Sequence, residues 1–222
     1  MQYDRFVRRT LAAATLLLQA AAVLAAFELT LDRRALEEAI TIGQSRIEQI
    51  RSRFHKDYRV PVGRAPIDYV EVVTPFRKVV LGAETRARAG ERLFGQRDAM
   101  ELLGTSSDEI VFHVELTFHP HNTFIGVPGY DVSLVGSRDA APLPTKTLDR
   151  IPRFGARLEG SPLANTPSAG GLLPGTSQPL TGGTLVARFA GNDLDAAGVY
   201  ELVVTDGKTT LARARVDLSR LR

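Results

Sequence analysis

The stretch EIVFHVELTFHPH runs from Glu109 to His121 and sorts its side chains onto two faces more cleanly than any other part of the chain. In an extended backbone successive side chains point to opposite sides, so alternate residues share a face. The apolar residues at alternate positions are Ile110, Phe112, Val114, Leu116 and Phe118. This alternation predicts a β-strand with one face in the core, at the centre of one sheet of a mainly β domain.

The opposite side of this strand holds four candidate metal ligands, His113, Glu115, His119 and His121. Imidazole and carboxylate groups are ligands that zinc, copper, nickel and iron accept. Residues two apart on a strand are separated by about 6.6 Å, whereas His113 and His119 would be about 20 Å apart. The spacing therefore predicts two separate ligand pairs. The alternative is that these polar groups form the solvent face of the strand or contact a proline-rich loop.

Composition limits the classes of protein to consider. A chain of 222 residues, 44% of them hydrophobic, can bury a sizeable core. Residues 1 to 25 contain three of the 28 basic and one of the 25 acidic side chains, so the remainder is nearly neutral. With no basic stripe left, we expect no nucleic-acid partner. The absence of cysteine excludes disulfides and thiolate chemistry.

Residues 1 to 25 have the layout of a secretory signal peptide, with a basic segment, an alanine-rich apolar run and small residues before the cleavage site. We therefore expect an exported protein, periplasmic or extracellular. The alternative is an uncleaved anchor, which would be the protein's contact with a membrane. The apolar run is about 16 residues long, whereas a membrane-spanning helix needs about 20.

Residues 32 to 57 follow a helical period. The apolar positions are spaced 4, 3, 4, 3, 4 and are Leu36, Ile40, Gly43, Ile47, Ile50 and Phe54. This spacing predicts one amphipathic helix that packs on the protein's own sheet. Three heptads are also enough for a coiled coil with a partner helix.

A β domain is predicted over residues 66 to 218. Alternating runs predict strands at 68–74, 129–135, 184–189, 198–205 and 209–218, with a long strand or hairpin at 77–92 and a short helix at 96–103. Asp206-Gly207 lies between the last two strands and is a strong hairpin signal.

Residues 136 to 183 hold seven of the twelve prolines and eight of the nineteen glycines. This composition predicts a long irregular insertion in the β domain. Loops longer than about 15 residues are uncommon in compact domains and are often functional.

The segment DAAGVYEL, from Asp195 to Leu202, resembles the D-x-(G/A)-x-Y-x-C segment that enters the penultimate strand of immunoglobulin-like domains, with Leu202 in place of the cysteine. The resemblance implies an antiparallel β-sandwich in which the Tyr200 hydroxyl bonds to nearby backbone and Leu202 fills the core. Because the chain has no cysteine and no tryptophan, it resembles only the wider sandwich class. The predicted fold is an immunoglobulin-like antiparallel β-sandwich preceded by one amphipathic helix.

The sequence contains no HExxH, GxSxG or Walker motif, and no GxGxxG after a strand. We therefore expect a non-catalytic exported protein without a cofactor, which contacts a protein or glycan partner through the insertion at 136–183. The alternative is a transition-metal-binding protein or metal-dependent enzyme that uses His113, Glu115, His119 and His121. A serine nucleophile assembled in space would leave no local motif either.

Overall fold

The computed structural model describes residues 27–91, 93–104, 108–136, 141–155 and 179–222. Across these ranges the chain is mainly β, with two antiparallel sheets and four helices. None of the described helices is both long enough and apolar enough to cross a membrane. The signal peptide predicted for residues 1 to 25 lies outside the described residues.

The helices and strands alternate in blocks along the chain. The helices are α1 (Arg33–Gln44), α2 (Glu48–Lys56), α3 (Pro75–Arg88) and α4 (Gln96–Leu103). The strands are β1 (Arg59–Arg64), β2 (Ile67–Val73), β3 (Glu109–Thr117), β4 (Asp131–Gly136), β5 (Leu143–Pro144), β6 (Thr147–Phe154), β7 (Leu180–Ala190), β8 (Val199–Asp206) and β9 (Thr209–Asp217).

The larger sheet has the strand order β1-β2-β3-β7-β6, and the smaller sheet has the order β5-β4-β8-β9. β3 is therefore the central strand of the larger sheet, as its alternation predicts. Val114 of β3 lies opposite Val70 of β2 on one side and Leu185 of β7 on the other. All three of these side chains are fully buried.

One hydrophobic core contains side chains from both sheets. Phe112 of β3 packs edge-on against Phe189 of β7, with ring centroids 5.5 Å apart. Leu134 of β4 and Leu202 of β8 are fully buried in the same cluster. Each fully buried side chain of this size contributes about 1.5–3 kcal/mol to stability. The apolar faces of the two sheets thus share one interior.

α1, α3 and α4 form a helical layer with a second core. Its centre is made of small residues, with Ala39 and Ala83 fully buried. Gly43 of α1 lies against α3 so closely that an added Cβ would stand 2.7 Å from the Cβ of Ala83 and closer still to the carbonyl oxygen of Val80. Glycine is therefore required where the two helices meet.

Residues 77 to 92 were predicted to form a strand or hairpin, and that prediction is wrong because α3 occupies most of this range. The hydroxyl of Thr74 accepts a hydrogen bond from the N–H of Arg77 at 3.2 Å and caps the helix. Pro75 follows at the first helical position, where the missing N–H costs nothing. The apolar residues Phe76, Val79, Val80 and Ala83 then fall on one helical face.

Two helices, α1 and α2, replace the single helix predicted over residues 32 to 57. α1 ends at Gln44, whose side-chain amide donates to the carbonyl of Phe94 at 2.9 Å. Ile47 has an extended backbone at the start of α2. Because of this break, Ile47 and Ile50 do not continue the buried stripe and are exposed.

The segment 136–183 was predicted to be irregular, and this prediction is wrong in part, because β5 and β6 lie within the segment. β6 pairs with β7 from Thr147 opposite Arg188 to Phe154 opposite Leu180. β6 is the last strand of its sheet, a position where a proline within a strand is tolerated. Residues 156–178 of the predicted insertion lie outside the described residues.

The C-terminal strands match the prediction closely. β8 and β9 pair antiparallel around Asp206-Gly207, with Gly207 at a φ of +56°. The hydroxyl of Tyr200 accepts a hydrogen bond from the backbone N–H of Asp195 at 2.7 Å. Leu202 is fully buried. Both local features that the resemblance implied are therefore present.

Candidate functional site

β3 carries the first predicted ligand pair, His113 and Glu115, on the outer face of the five-stranded sheet. His113 is half-buried and lies opposite Glu71 of β2. Burial lowers the pKa of His113 below its ordinary value; the carboxylate of Glu71 opposes this shift, and the cations of Arg77 and Arg188 add to it. The neutral imidazole is therefore favoured in the folded protein.

Neighbouring side chains already occupy the carboxylate of Glu115. Arg153 of β6 donates to Oε1, and the hydroxyl of Thr184 donates to Oε2 at 2.8 Å. Arg153 also donates to the backbone carbonyl of Leu116 at 2.9 Å, which fixes its guanidinium. A metal bound by His113 and Glu115 would have to displace this ion pair.

Further ion pairs cover the same outer face. Arg188 of β7 lies 2.5 Å from Asp149 of β6, and Lys146 lies 2.7 Å from Glu109 of β3. The charged groups therefore alternate in sign across neighbouring strands. This face is a layer of paired charges in which Glu109 and Glu115 of β3 are only 12% and 15% exposed.

The second predicted pair, His119 and His121, lies beyond the end of β3. The ring centroids are 5.3 Å apart, and the N–H of His121 donates to Nδ1 of His119 at 3.2 Å. Both side chains are exposed. Within the described ranges, no three histidine, aspartate or glutamate side chains come together as a metal site. The two predicted pairs are thus separate in the fold.

Residues 118 to 130 connect β3 to β4 in a loop that Asn122 holds in place. Its side-chain amide donates to the carbonyl of Leu180 at 2.9 Å, and its oxygen accepts from the N–H of Phe124 at 3.0 Å. Nevertheless, Phe124 is 44% exposed and Ile125 is 95% exposed. A fixed backbone therefore presents two large apolar side chains to solvent.

Three connections begin and end at the same end of the two sheets, which we call the loop end. They are the loop 118–130, the connection from β6 to β7 that leaves at Gly155 and returns at Pro179, and the β8–β9 turn at 206–208. Their common position follows from the pairing of β3 and β6 with β7 and of β4 with β8. The N–H of Gly155 donates to the carbonyl of Pro179 at 3.2 Å, so the second connection has a closed base.

A charged cluster that the sequence analysis missed lies between α2 and α3. Glu84 of α3 is buried, and its carboxylate meets Arg88 at 2.6 Å, His55 at 2.9 Å and Arg51 at 3.2 Å. A buried carboxylate is tolerated only when such charge-assisted bonds replace its hydration. The two guanidinium groups outnumber the one carboxylate, so this cluster carries excess positive charge.

Arg77, in the first turn of α3, is a second buried charge. Its side chain is 1% exposed, and it donates to the carbonyl of Val72 and to the carboxylate of Glu71, each at 2.5 Å. Burial alone raises the pKa of Glu71, but the hydrogen bonds and charges of Arg77 and Arg59 outweigh it and hold that pKa below its ordinary value. Glu71 is therefore ionised at neutral pH.

A helical spacing could have revealed part of this cluster. Glu84 and Arg88 are four residues apart, as are Arg51 and His55, and such pairs face the same side of a helix. Because residues 77 to 92 were predicted to be extended, Glu84 and Arg88 were not recognised as neighbours. Four residues apart on a strand, two side chains lie about 13 Å from each other.

Comparisons of this chain with protein families, with curated proteins and with solved structures find no match.

Proposed function

We propose that this chain is an exported, non-catalytic binding protein that contacts a protein or glycan partner through the loop end. The observation that carries the proposal is the exposure of Phe124 and Ile125 on a loop whose backbone is held by Asn122. Large apolar side chains on a fixed loop can bind without first paying the entropic cost of ordering that loop. Binding residues are commonly carried by loops on a rigid scaffold.

We further propose that the two sheets form a β-sandwich with immunoglobulin-like topology. The orders β2-β3-β7-β6 and β5-β4-β8-β9 follow the A-B-E-D and C′-C-F-G orders of that class, with β1 as an added edge strand. The hydrogen bond to Tyr200 near the start of β8 supports the same assignment, because the class has its tyrosine corner at strand F. In this assignment the loop end contains the B–C and F–G connections, which are two of the three that bind antigen in antibody variable domains.

The non-catalytic part of the proposal is supported by the state of the carboxylates. Glu71, Glu84 and Glu115 are each bound by at least one arginine, which makes them poor general bases.

Export is proposed from the layout of residues 1 to 25, with a periplasmic or extracellular location. Leu29 lies against Gly191, just after β7, at the opposite end of the sheet from the loop end. A retained N-terminal anchor would therefore leave the loop end directed away from the membrane. Mass spectrometry of the N-terminal peptide from the native host tests this part of the proposal. A peptide that starts after residue 25 supports a signal peptide, and a peptide from residues 1 to 25 supports an uncleaved anchor.

The second candidate function is metal binding at His119 and His121. The observation that favours it is the 5.3 Å distance between the two imidazole centroids. The proposed ions are those that imidazole prefers, such as zinc, nickel or copper.

The leading proposal is tested by Phe124→Ser/Ile125→Ser. The matched control is Leu93→Ser/Met100→Ser, because both native side chains are also exposed, but in or beside α4 of the helical layer. Partners are captured from the native envelope by crosslinking and quantified by mass spectrometry, and glycans are tested on an array. A central interface residue contributes roughly 2 kcal/mol, so we expect recovery of the partner to fall by about thirtyfold for the loop variant only.

The proposal is contradicted if the loop variant recovers as much partner as the control variant does. This covers both the case in which neither variant loses the partner and the case in which both lose it. A further variant replaces residues 156 to 178 by Asn-Gly, which the hydrogen bond between Gly155 and Pro179 makes geometrically feasible. It reports whether that segment contributes to the same contact. Melting curves of all variants separate lost binding from lost folding.

A further inference from the structure

A groove of about 840 Å³ runs between α2, α3 and the strands β1 and β2. It lies away from the loop end, so its role is independent of the function proposed above. The helices supply most of its walls, and Arg59 of β1 and Glu71 of β2 close one side. Its volume is within the range of sites that hold small ligands, about 300–1,000 Å³.

The groove has more positive than negative charge. Its permanently charged bases are Arg51, Lys56, Arg59, Arg77 and Arg88. Its acids are Glu48, Glu71 and Glu84, and His55 adds an imidazole. A cleft lined by one excess sign of charge concentrates ions of the other sign.

The internal ion pairs leave part of this positive charge unbalanced. Glu84 is shared by Arg51, Arg88 and His55, and Glu71 is shared by Arg59 at 3.3 Å and Arg77 at 2.5 Å. Each carboxylate therefore faces at least two bases. A ligand with a single carboxylate would bring one negative charge and two acceptor oxygens, which is what Glu71 and Glu84 each supply already.

Two buried side-chain nitrogens in the described part of the chain have no hydrogen-bond partner, and both belong to residues that line this groove. They are Nδ1 of His55 and Nε of Arg77. Unsatisfied buried polar atoms are uncommon in folded proteins and call for a physical explanation. Because both atoms belong to basic side chains, they show that the carboxylates of the groove do not pair every side-chain nitrogen of its bases.

The outer bases of the groove are free to turn toward a ligand. The side chain of Arg59 is 53% exposed and that of Arg88 is 74% exposed. The carboxylates that they hold are less exposed, at 18% for Glu71 and 8% for Glu84. Either guanidinium can still turn toward a ligand oxygen, because Arg77 stays on Glu71, and Arg51 and His55 stay on Glu84.

We propose that this groove binds a phosphate group. A phosphate dianion brings a second charge and a third oxygen, which a single carboxylate lacks, and guanidinium groups bind phosphate through two parallel hydrogen bonds. The phosphate belongs either to a soluble phosphate ester or to the head group of an anionic lipid.

The test compares wild type with Arg59→Gln/Arg88→Gln. The matched control is Arg213→Gln on β9, whose native side chain is 56% exposed and paired with Glu201 away from the groove. Calorimetry with inorganic pyrophosphate measures binding in solution. Flotation with phosphatidylglycerol vesicles, against phosphatidylcholine vesicles, measures binding to lipid head groups.

We expect saturable binding of pyrophosphate or of anionic vesicles to weaken at least about tenfold in the double variant and to stay within about twofold in the control, as loss of charge-assisted bonds predicts. Binding of pyrophosphate alone assigns a soluble ester, and binding of anionic vesicles assigns a lipid. The proposal is overturned if wild type binds neither probe or if Arg213→Gln weakens binding as much as the double variant does.

Discussion

Arg77→Met is expected to destabilise the protein by about 3 kcal/mol, the lower end of the 3–5 kcal/mol range for breaking a buried ion pair. Methionine fills similar space but leaves the carbonyl of Val72 without its donor, which stands at 2.5 Å in the native protein. Glu71 would lose its closest partner and keep only Arg59 at 3.3 Å. Because Glu71 is 18% exposed, water offsets part of the loss. This partial hydration is why the lower end of the range applies.

The second arm of this prediction is Glu71→Gln/Arg77→Met, which removes both charges. Replacing a whole buried pair is far less costly than breaking it, so the double variant should regain much of the lost stability. Urea unfolding measures the free energies, and in a chain of this size a loss of 3 kcal/mol lowers the melting temperature by roughly 6–12 °C. A loss of less than about 1 kcal/mol in the single variant would show that the ion pair is not important for stability, as would a double variant no more stable than the single one.

The pair also predicts how stability depends on pH. The folded-state pKa of Glu71 lies below its ordinary value of 4.5, so the unfolded chain takes up the proton first as the pH falls. The contribution of Glu71 to stability is therefore complete above the unfolded pKa and is lost as the pH falls through the folded pKa. In Arg77→Met this acid-side loss should shrink, because the main group that lowers the pKa of Glu71 is absent. Urea midpoints between about pH 6 and pH 3 measure it.

Two further predictions concern the tyrosine and the histidine pair. Tyr200→Phe removes the acceptor for the N–H of Asp195 and should cost about 1 kcal/mol in urea unfolding; an unchanged midpoint would show that this bond is not needed. His119→Ala/His121→Ala should leave zinc and nickel affinity unchanged by calorimetry, because no third histidine, aspartate or glutamate of the described residues joins them. Loss of stoichiometric metal binding would instead support the metal-binding alternative.

The strand pattern was predictable wherever one face of a strand is buried and the other is wet. β3 satisfies this condition from Ile110 to Leu116, and the hairpin of β8 and β9 adds a turn signal at Asp206-Gly207. β6 fails the condition, because it lies at the sheet edge and nearly all of its residues are exposed. Its pairing with β7 depends on a partner strand distant in sequence, which local alternation cannot reveal.

α3 shows a different limit, because its signals were present but ambiguous. Pro75 ends a strand and equally begins a helix, whereas the β-branched valines that follow favour a strand by propensity. The decisive factor is contact with α1, where Val79 and Val80 are fully buried in a core that the sequence does not display. Tertiary packing thus determined the secondary structure of this segment.

The candidate site was predictable in placement but not in chemistry. The alternation correctly puts His113 and Glu115 on the polar side of β3. The partner that occupies Glu115, Arg153, comes from a segment predicted to be irregular. Arg77, one of the cations that lower the pKa of His113 in addition to burial, comes from a segment predicted to be a strand. Knowing which side chains are free to bind required the three-dimensional contacts.

Arg77 links the construction of the fold to the proposed phosphate groove. α3 starts directly after β2, and its first turn brings Arg77 back to the carbonyl of Val72, near the end of that strand. The same guanidinium pairs with Glu71, which Arg59 also contacts at the side of the groove. A substitution at Arg77 would therefore change stability and groove charge together. Arg59 and Arg88 lie at the exposed rim, so their variants change the groove charge with less effect on stability than Arg77→Met, and melting curves measure the part that remains.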